Sequence, residues 1–479
     1  MATSVQPFYL AGEWRTSTDM LSVHNKFDGS EIGCVARASR EDVLEAIGKA
    51  AQAFEQARTL PAYKRSEALG KIANGIQARH EELAQLLAVE AGKPIRTARQ
   101  EIDRTISTYT IGSEEAKRIG GEVLPMDINA GGENRIGIVR RFPIGPIGAI
   151  TPFNFPFNLV AHKVSPALAA GCPIVVRPAS STPLCALKLA EIVHEIAPAC
   201  GLPAGMFSVL PSSTDAAEPL ITDERIKLLT FTGSPLVGWP MKGKAGRKRV
   251  TLELGGNAAV IVHSDADVEF AATRVVAGAF GYAGQSCISV QRVFVQRSII
   301  EAFGKRLLAK VQALVVGDPL DDKTDVGPMI DEGSAANIEH WIEEAVAAGA
   351  SVLIGGTRKG SLMLPTVLTN VTSDMKVCAQ EVFAPLMTLV PYDTFEEAVA
   401  AVDDSDFGLQ CGIFTRDVKY IWYAYEHIEV GGVIVNDISS YRMDHMPYGG
   451  VKQSGFGREG VRYAIEEMTE PKLLVMNMG

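Results

Sequence analysis

Ile147-Gly-Ala-Ile-Thr151-Pro-Phe-Asn154-Phe-Pro156 opens the region from which the fold is read. The apolar run Ile147–Thr151 reads as a short buried strand, and Pro152 and Pro156 mark the turn that ends it. Leu159–Ala170 then reads as a helix, and the alternation continues. Pro173–Val176, Met206–Leu210, Lys227–Phe231 and Val250–Glu253 are strand-like, separated by helix-like Pro183–Ile196, Ala216–Leu220 and Leu236–Ala245. Strands that alternate with helices build βαβ units, which predicts an α/β fold on a parallel sheet. Such sheets bind ligands at the carboxyl ends of their strands. From Leu254 to Val435 the same alternation repeats.

Upstream, residues 1–36 read as a lead-in of short strands. A first helix starts at a Ser39 cap with acids in its first turn, and Val43, Ala46, Ile47, Ala50 and Phe54 fall on one face. A second runs from Pro61 to Gly92-Lys93-Pro94, and a third from Arg96 to Ile119. The segment from Gly120 to Ile138 is a Gly-containing excursion between strands. The last run, Lys472–Met478, is an apolar strand whose edge calls for a partner element or subunit. No internal repeat or low-complexity segment is found.

At 479 residues the chain is too long for one ordinary domain. A net charge of −10 argues against a nucleic-acid surface. The longest apolar region, Pro143 to Val176, is broken by Asn154, Pro156, His162, Lys163 and Pro166, so no membrane span is expected. The N-terminus lacks a basic region followed by an apolar core, so no signal peptide is expected either. Seven scattered cysteines without metal spacing fit reduced thiols in the cytoplasm.

Four motifs carry chemistry. Gly281-Tyr-Ala-Gly284-Gln-Ser286-Cys287-Ile-Ser289 presents a cysteine in a Gly-rich turn after a helix at about Val268 to Phe280. It is a nucleophile or a buried structural thiol. Glu253 ends a strand beside Gly255-Gly256, where a carboxylate suits general-base work or caps nearby amides. Asn154 ends another strand, where its amide suits an oxyanion or merely a proline turn. Phe231-Thr-Gly233-Ser234 is a strand-to-helix turn of the kind that receives phosphate, or a plain βα turn. A literal G-x-G-x-x-G at Gly455, Gly457 and Gly460 follows a Gly-rich loop and not a strand, so it is rejected as a dinucleotide turn and read as a flexible loop near a domain junction.

Together these residues resemble the aldehyde dehydrogenase superfamily, of the non-phosphorylating NAD(P)-dependent kind. The resemblance covers nearly the whole chain. It is carried in order by Thr151-Pro-Phe-Asn154, Phe231-Thr-Gly-Ser234, Leu252-Glu253-Leu-Gly-Gly-Asn257, Gly284-Gln-Ser-Cys287, Gln380-Glu381-Val-Phe383-Ala-Pro385 and Pro447-Tyr-Gly-Gly-Val-Lys-Gln-Ser-Gly455. It implies that Cys287 attacks an aldehyde to form a thiohemiacetal, with Asn154 and the Cys287 amide as oxyanion hole. Hydride transfer then leaves a thioester, and Glu253 activates the water that hydrolyses it. Lys163 and Glu470 match positions of proton relay and structural support. Thr151, Pro152, Phe153, Arg177, Ser180, Gly233, Ser234, Leu254, Glu381 and Phe383 match cofactor positions.

Departures from the family pattern bear on specificity. Arg177 stands where Lys is usual and Ser180 where NAD-preferring relatives often carry Glu, so NADP is expected to be accepted, with NADP or NAD preference open. Ala384 replaces the usual Gly. The segment Asn436–Met446 resembles branches acting on small hydroxy- or acid-bearing aldehydes, among them lactaldehyde, succinate semialdehyde and phosphonoacetaldehyde dehydrogenases. Arg442 is the expected anion-binding residue and Arg104 a second one, with Ser286 and Ser289 beside the sulfur. The resemblance also implies a Rossmann-like cofactor domain (1–122 and 143–253), an α/β catalytic domain (254–460) and a small β oligomerisation element (123–142 and 461–479). A homodimer or homotetramer is expected to assemble through that element. Coenzyme A as acyl acceptor and a catalytically silent family member are the competing readings.

Overall fold

The structure, a computed structural model, describes residues 5–479. Its centre is a mixed sheet whose five middle strands are parallel. They lie in the order Arg249–Glu253, Leu228–Thr232, Ile147–Ile150, Ile174–Arg177, Phe207–Val209. The chain starts in the middle strand, runs outward to one edge, then returns to fill the other side. That reversal beside Ile147–Ile150 opens a crevice at the carboxyl ends of the strands, and Thr151, Arg177, Gly233 and Glu253 stand at or just past those ends. Antiparallel additions close both edges: Gly455–Phe456 against Arg249–Glu253, and Phe8–Leu10 against Phe207–Val209.

Helices cover the faces. α1 (Arg40–Ala57) is fixed by a capping box in which Ser39 and Asp42 satisfy each other's backbone amides. The stretch expected as one helix from Pro61 is two, α2 (Ala62–Ala78) and α3 (His80–Ala91). They break at Arg79, whose φ of −112° and ψ of 17° end one helix and begin the next. Both halves present apolar stripes, so no Gly or Pro signals the break. α3 stops at Gly92, φ 69°, a left-handed position that glycine occupies freely. α4 (Ile95–Glu115) follows.

α5 (Asn158–Ala170) is buried along its whole length, so it is apolar all round apart from a few functional groups. Those exceptions are informative: a helix inside the core carries a lysine and a histidine only where partners await them. α6 (Pro183–Ile196), α7 (Glu218–Thr222) and α8 (Pro235–Lys244) complete the first unit.

A second sheet has the order Ser351–Ile354, Thr366–Thr369, Leu386–Tyr392, Arg292–Gln296, Ala259–Val262, Gln410–Phe414, Gly432–Val435, parallel except at its first pair. α9 (Val268–Phe280) packs on it and leads into the cysteine turn. The third sheet is antiparallel: Gly121–Pro125, Arg135–Pro143 and Thr469–Asn477. The helix Val461–Glu467 packs against α4 and α5 in the first core and leads into Thr469–Asn477, which it also touches. The Gly455–Gly460 segment is an ordered strand and turn rather than a flexible loop. No helix of the described residues is long and apolar enough to cross a membrane.

Candidate active site

The cysteine turn is built under strain. After α9, Tyr282 and Ala283 both take φ of 51° and Gly284 takes 68°, three left-handed residues in succession. At Gly284 a Cβ would strike the Ala384 carbonyl, so only glycine fits. Side chains hold the turn in place. Tyr282 donates from its hydroxyl to the Ala91 carbonyl at 3.0 Å. Gln285 accepts from the Ile330 amide at 2.8 Å. The Lys93 ammonium, fully buried, lies 4.3 Å from the Tyr282 ring centre and 3.7 Å from that of Phe155. It pairs with Glu101 and donates to the Asn154 carbonyl at 2.8 Å. Asn154 in turn donates from its side-chain amide to the Gln285 carbonyl at 3.1 Å. The strand end bearing Asn154 and the turn bearing Cys287 are therefore locked to one another.

Cys287 lines a cavity of about 1050 Å³ that runs along the crevice between the two sheets. Its Sγ lies 3.0 Å from the Tyr448 hydroxyl. Burial pushes the thiol up to about 12, against the opposing effect of the Tyr448 hydrogen bond. Glu253 and Asn154 line the same cavity. Both Glu253 carboxylate oxygens are buried without a hydrogen-bond partner. Burial, and then the charge of Glu459, raise the Glu253 carboxyl well above the ordinary range. For Glu459 burial acts upward too, but Lys163 and Arg442 outweigh it and hold that carboxyl low. Two neighbouring carboxyls whose acidities are driven apart form an acid–base pair.

Lys163, on α5, donates to Glu459 at 2.7 Å and to Thr230 at 2.9 Å. Glu470, expected with Lys163 at a position of proton relay or structural support, lies on the exposed strand Thr469–Asn477 and pairs with Arg249. Strand alternation and pairing with Arg135–Pro143 keep it out of the core. Glu459 takes the place beside Lys163, from the very G-x-G-x-x-G segment set aside as a loop. Tyr448 of Pro447-Tyr-Gly-Gly joins it in the site. A tyrosine in a Gly-rich loop gives no sign in sequence of what its hydroxyl will reach.

Arg442 and Arg104 both line the cavity, in different states. Arg104 is neutralised by Asp444 at 2.8 Å, which also accepts from His162 at 2.8 Å and Asn158 at 3.1 Å. Arg442 is buried, 3.6 Å from the centre of the Tyr448 ring and 3.5 Å from Glu459, with its Nε and one Nη lacking any hydrogen bond. Ser286 lines the cavity. Ser289 does not: its hydroxyl turns back to the Gly278 and Ala279 carbonyls at 3.2 and 3.3 Å.

The same cavity is also lined by Thr151, Pro152, Phe153, Arg177, Ser180, Gly233, Ser234, Leu254, Glu381 and Phe383. These residues fit a dinucleotide. Thr151 and Thr232 have buried hydroxyls without partners, and Ser234 starts α8 without using its own hydroxyl as a cap. Glu381 accepts from the Gly256 amide at 2.9 Å, and burial raises its carboxyl to about 7. Arg177 is held by the Ser212 carbonyl at 3.2 Å. Among the described residues no cluster of side chains could hold a metal ion.

The profile described as "Aldehyde dehydrogenase family" matches residues 14–474. The 3-sulfolactaldehyde dehydrogenase of Priestia megaterium is 48% identical over 471 residues, 98% of each chain. A crystal structure of aldehyde dehydrogenase 21 from Physcomitrella patens, in complex with its reaction product succinate, superposes with a TM-score of 0.98 at 44% identity, covering 100% of this chain and 99% of that one. Glyceraldehyde-3-phosphate dehydrogenase from Methanocaldococcus jannaschii, complexed with NADP, gives a TM-score of 0.92 at 40% identity, covering 95% and 99%. A cysteine on a strained turn, a buried carboxylate facing the same cavity and a likeness running nearly end to end leave one conclusion: the chain belongs to the aldehyde dehydrogenase family and is an NAD(P)-dependent oxidoreductase of aldehydes.

Proposed function

We propose that the chain oxidises a small aldehyde bearing an anionic group, and commonly a hydroxyl, to the free carboxylic acid. Arg442 carries this reading. A buried guanidinium that meets Glu459 only at 3.5 Å and has two nitrogens lacking hydrogen bonds, in the cavity that holds Cys287, is suited to receive an anion. Arg104 supports it less, since Asp444 already neutralises it. A sulfonate, carboxylate or phosphonate at Arg442 would set the aldehyde carbon within reach of the sulfur. The 3-sulfolactaldehyde enzyme at 48% identity and the succinate-bound structure at 44% point the same way.

Cys287 attacks the carbonyl carbon, and the free amide hydrogen of Asn154 supports the oxygen as it gains charge. The bound dinucleotide supplies the hydride acceptor. Glu253 then takes a proton from water as that water attacks the thioester, and Lys163 and Glu459 hold the charge balance behind it. The unpartnered Glu253 oxygens favour water over coenzyme A as acyl acceptor. At the cofactor end Arg177 lines the crevice and position 180 is Ser rather than a carboxylate, which favours a 2′-phosphate and thus NADP. The exposed third sheet supports a homodimer or homotetramer, and seven unpaired thiols suit the cytoplasm.

The test is an aldehyde panel with both cofactors and no coenzyme A, on the wild type and on Arg442→Gln. In the variant kcat/KM for anionic aldehydes should fall about 10-fold to 100-fold further than for neutral isosteres, the value of a charged hydrogen-bonded pair. Equal losses for both classes would refute anion pairing. A large NAD preference in kcat/KM would refute the NADP reading.

A further inference from the structure

The groups that act on Cys287 are Tyr448, Glu381, Arg442 and Glu253. Of these, Tyr448 alone has an atom within hydrogen-bond distance of the sulfur, at 3.0 Å. Its hydroxyl has no other hydrogen-bond partner among the described residues, and the residue is 3% exposed. Between a thiol and a phenol either group donates. Once the thiol ionises the choice is gone, because a thiolate only accepts. The Tyr448 ring is also capped by Arg442, 3.6 Å above its centre. A guanidinium on the face of a phenol draws electron density from the ring and makes its O–H a stronger donor.

We propose that Tyr448 is a catalytic residue of this enzyme, donating a hydrogen bond to the Cys287 thiolate and holding it ready for attack. This rests on the reading of Cys287 as the nucleophile. Burial raises the Tyr448 phenol well above its ordinary range, so it stays a neutral donor at working pH and never competes to ionise. In the attack the sulfur lone pair becomes the C–S bond and the carbonyl π pair moves to oxygen. The tyrosine proton stays on its own oxygen, and the hydrogen bond to sulfur weakens as the sulfur loses its charge. The contact therefore raises the thiolate population in the free enzyme and fixes the direction of the lone pair.

Tyr448→Phe removes one oxygen and keeps the ring under Arg442. The readout is the pH dependence of Cys287 alkylation by iodoacetamide in the free enzyme. The thiol midpoint should rise by about one unit, and alkylation below the midpoint should slow about tenfold, as expected for losing a hydrogen bond to a charged group. Enzyme labelled throughout with 3-fluorotyrosine, whose phenol is more acidic, should show the opposite shift, and it serves where the Phe variant fails to fold. Unchanged pH profiles in these proteins would overturn the proposal. So would a Phe variant that only raised KM for hydroxylated aldehydes, since that marks a substrate contact. Cys287→Ala separates the two readings: if it kept dehydrogenase activity the nucleophile reading would fall, whereas dead Cys287→Ala with an unshifted Tyr448→Phe profile would sink this inference alone.

Discussion

Glu253 and Glu459 show how two carboxyls of one chemistry are given different work by their surroundings. Glu253 is buried with no partner and faces the charge of Glu459, while Glu459 is buried against Lys163 and Arg442. Deacylation needs Glu253 as a base, so its rate should climb as pH rises through the raised Glu253 value. Glu253→Gln should give one burst of reduced cofactor per site, followed by turnover slowed by about 100-fold or more and flat with pH, in a stopped-flow trace. Glu459→Gln removes a negative neighbour and leaves Lys163 and Arg442 unbalanced. Both changes favour the Glu253 anion, so the rising limb should move to lower pH; a limb that stays put or moves up refutes the coupling. Cys287, Glu253 and Asn154 stand out in the sequence because they sit in a Gly-rich turn or where strands end, whereas Lys163 is singled out only by the family resemblance. Sequence reasoning missed Glu459 and Tyr448 because their roles come from long-range packing: Glu459 follows by three residues the edge strand Gly455–Phe456, which is added antiparallel beside Glu253 about two hundred residues later in the chain. Glu470 went the other way, a carboxylate on a strand whose pairing leaves it exposed.

At the scale of elements, α6 has no side-chain cap of its own: its N-cap Thr182 makes no capping bond. Glu90, at the end of α3, supplies the cap from outside, accepting from the Leu184 and Cys185 amides at 2.6 and 2.9 Å. Burial raises this carboxyl from 4.5 to about 7. Between those values the folded chain holds a proton that the unfolded chain has released. The Glu90 contribution is thus most favourable below the window and declines as pH rises through it. Glu90→Ala should cost about 2–3 kcal/mol by orphaning two buried amides. Glu90→Gln should gain on the wild type in thermal midpoint as pH goes from 5 to 7.5, and a constant gap would show that Glu90 does not titrate there. The five parallel strands were legible from their apolar runs to within a residue or so at each end. The break between α2 and α3 was not, because an apolar stripe continues through it and Arg79 is an ordinary residue forced into the turn by packing on both sides. The left-handed Tyr282 and Ala283 were also invisible, since neither residue type signals positive φ.

Across the whole molecule, two sheets close on the catalytic crevice while the third faces outward. Thr469–Asn477 pairs on one side only, with Arg135–Pro143, so its other edge offers open amides and carbonyls. Its side chains are apolar where solvent would be expected to select polar ones: Leu473, Leu474 and Val475 are 52%, 55% and 43% exposed. On the other two strands of the sheet Val123 and Phe142 are exposed as well. By register Leu474 shares one face with Val123 and Phe142 while Leu473 and Val475 lie on the other; a monomer seldom leaves so many apolar side chains in water, whereas a self-associating chain buries them. The sheet stands apart from the crevice residues named here, so disrupting it should separate assembly from chemistry. Leu474→Asp puts a charge in the middle of the strand without touching either core. Sedimentation velocity should show a shift from dimer or tetramer to monomer, with the burst amplitude of Cys287 per chain retained. If the variant keeps the wild-type mass at micromolar concentration, this sheet is not the assembly surface.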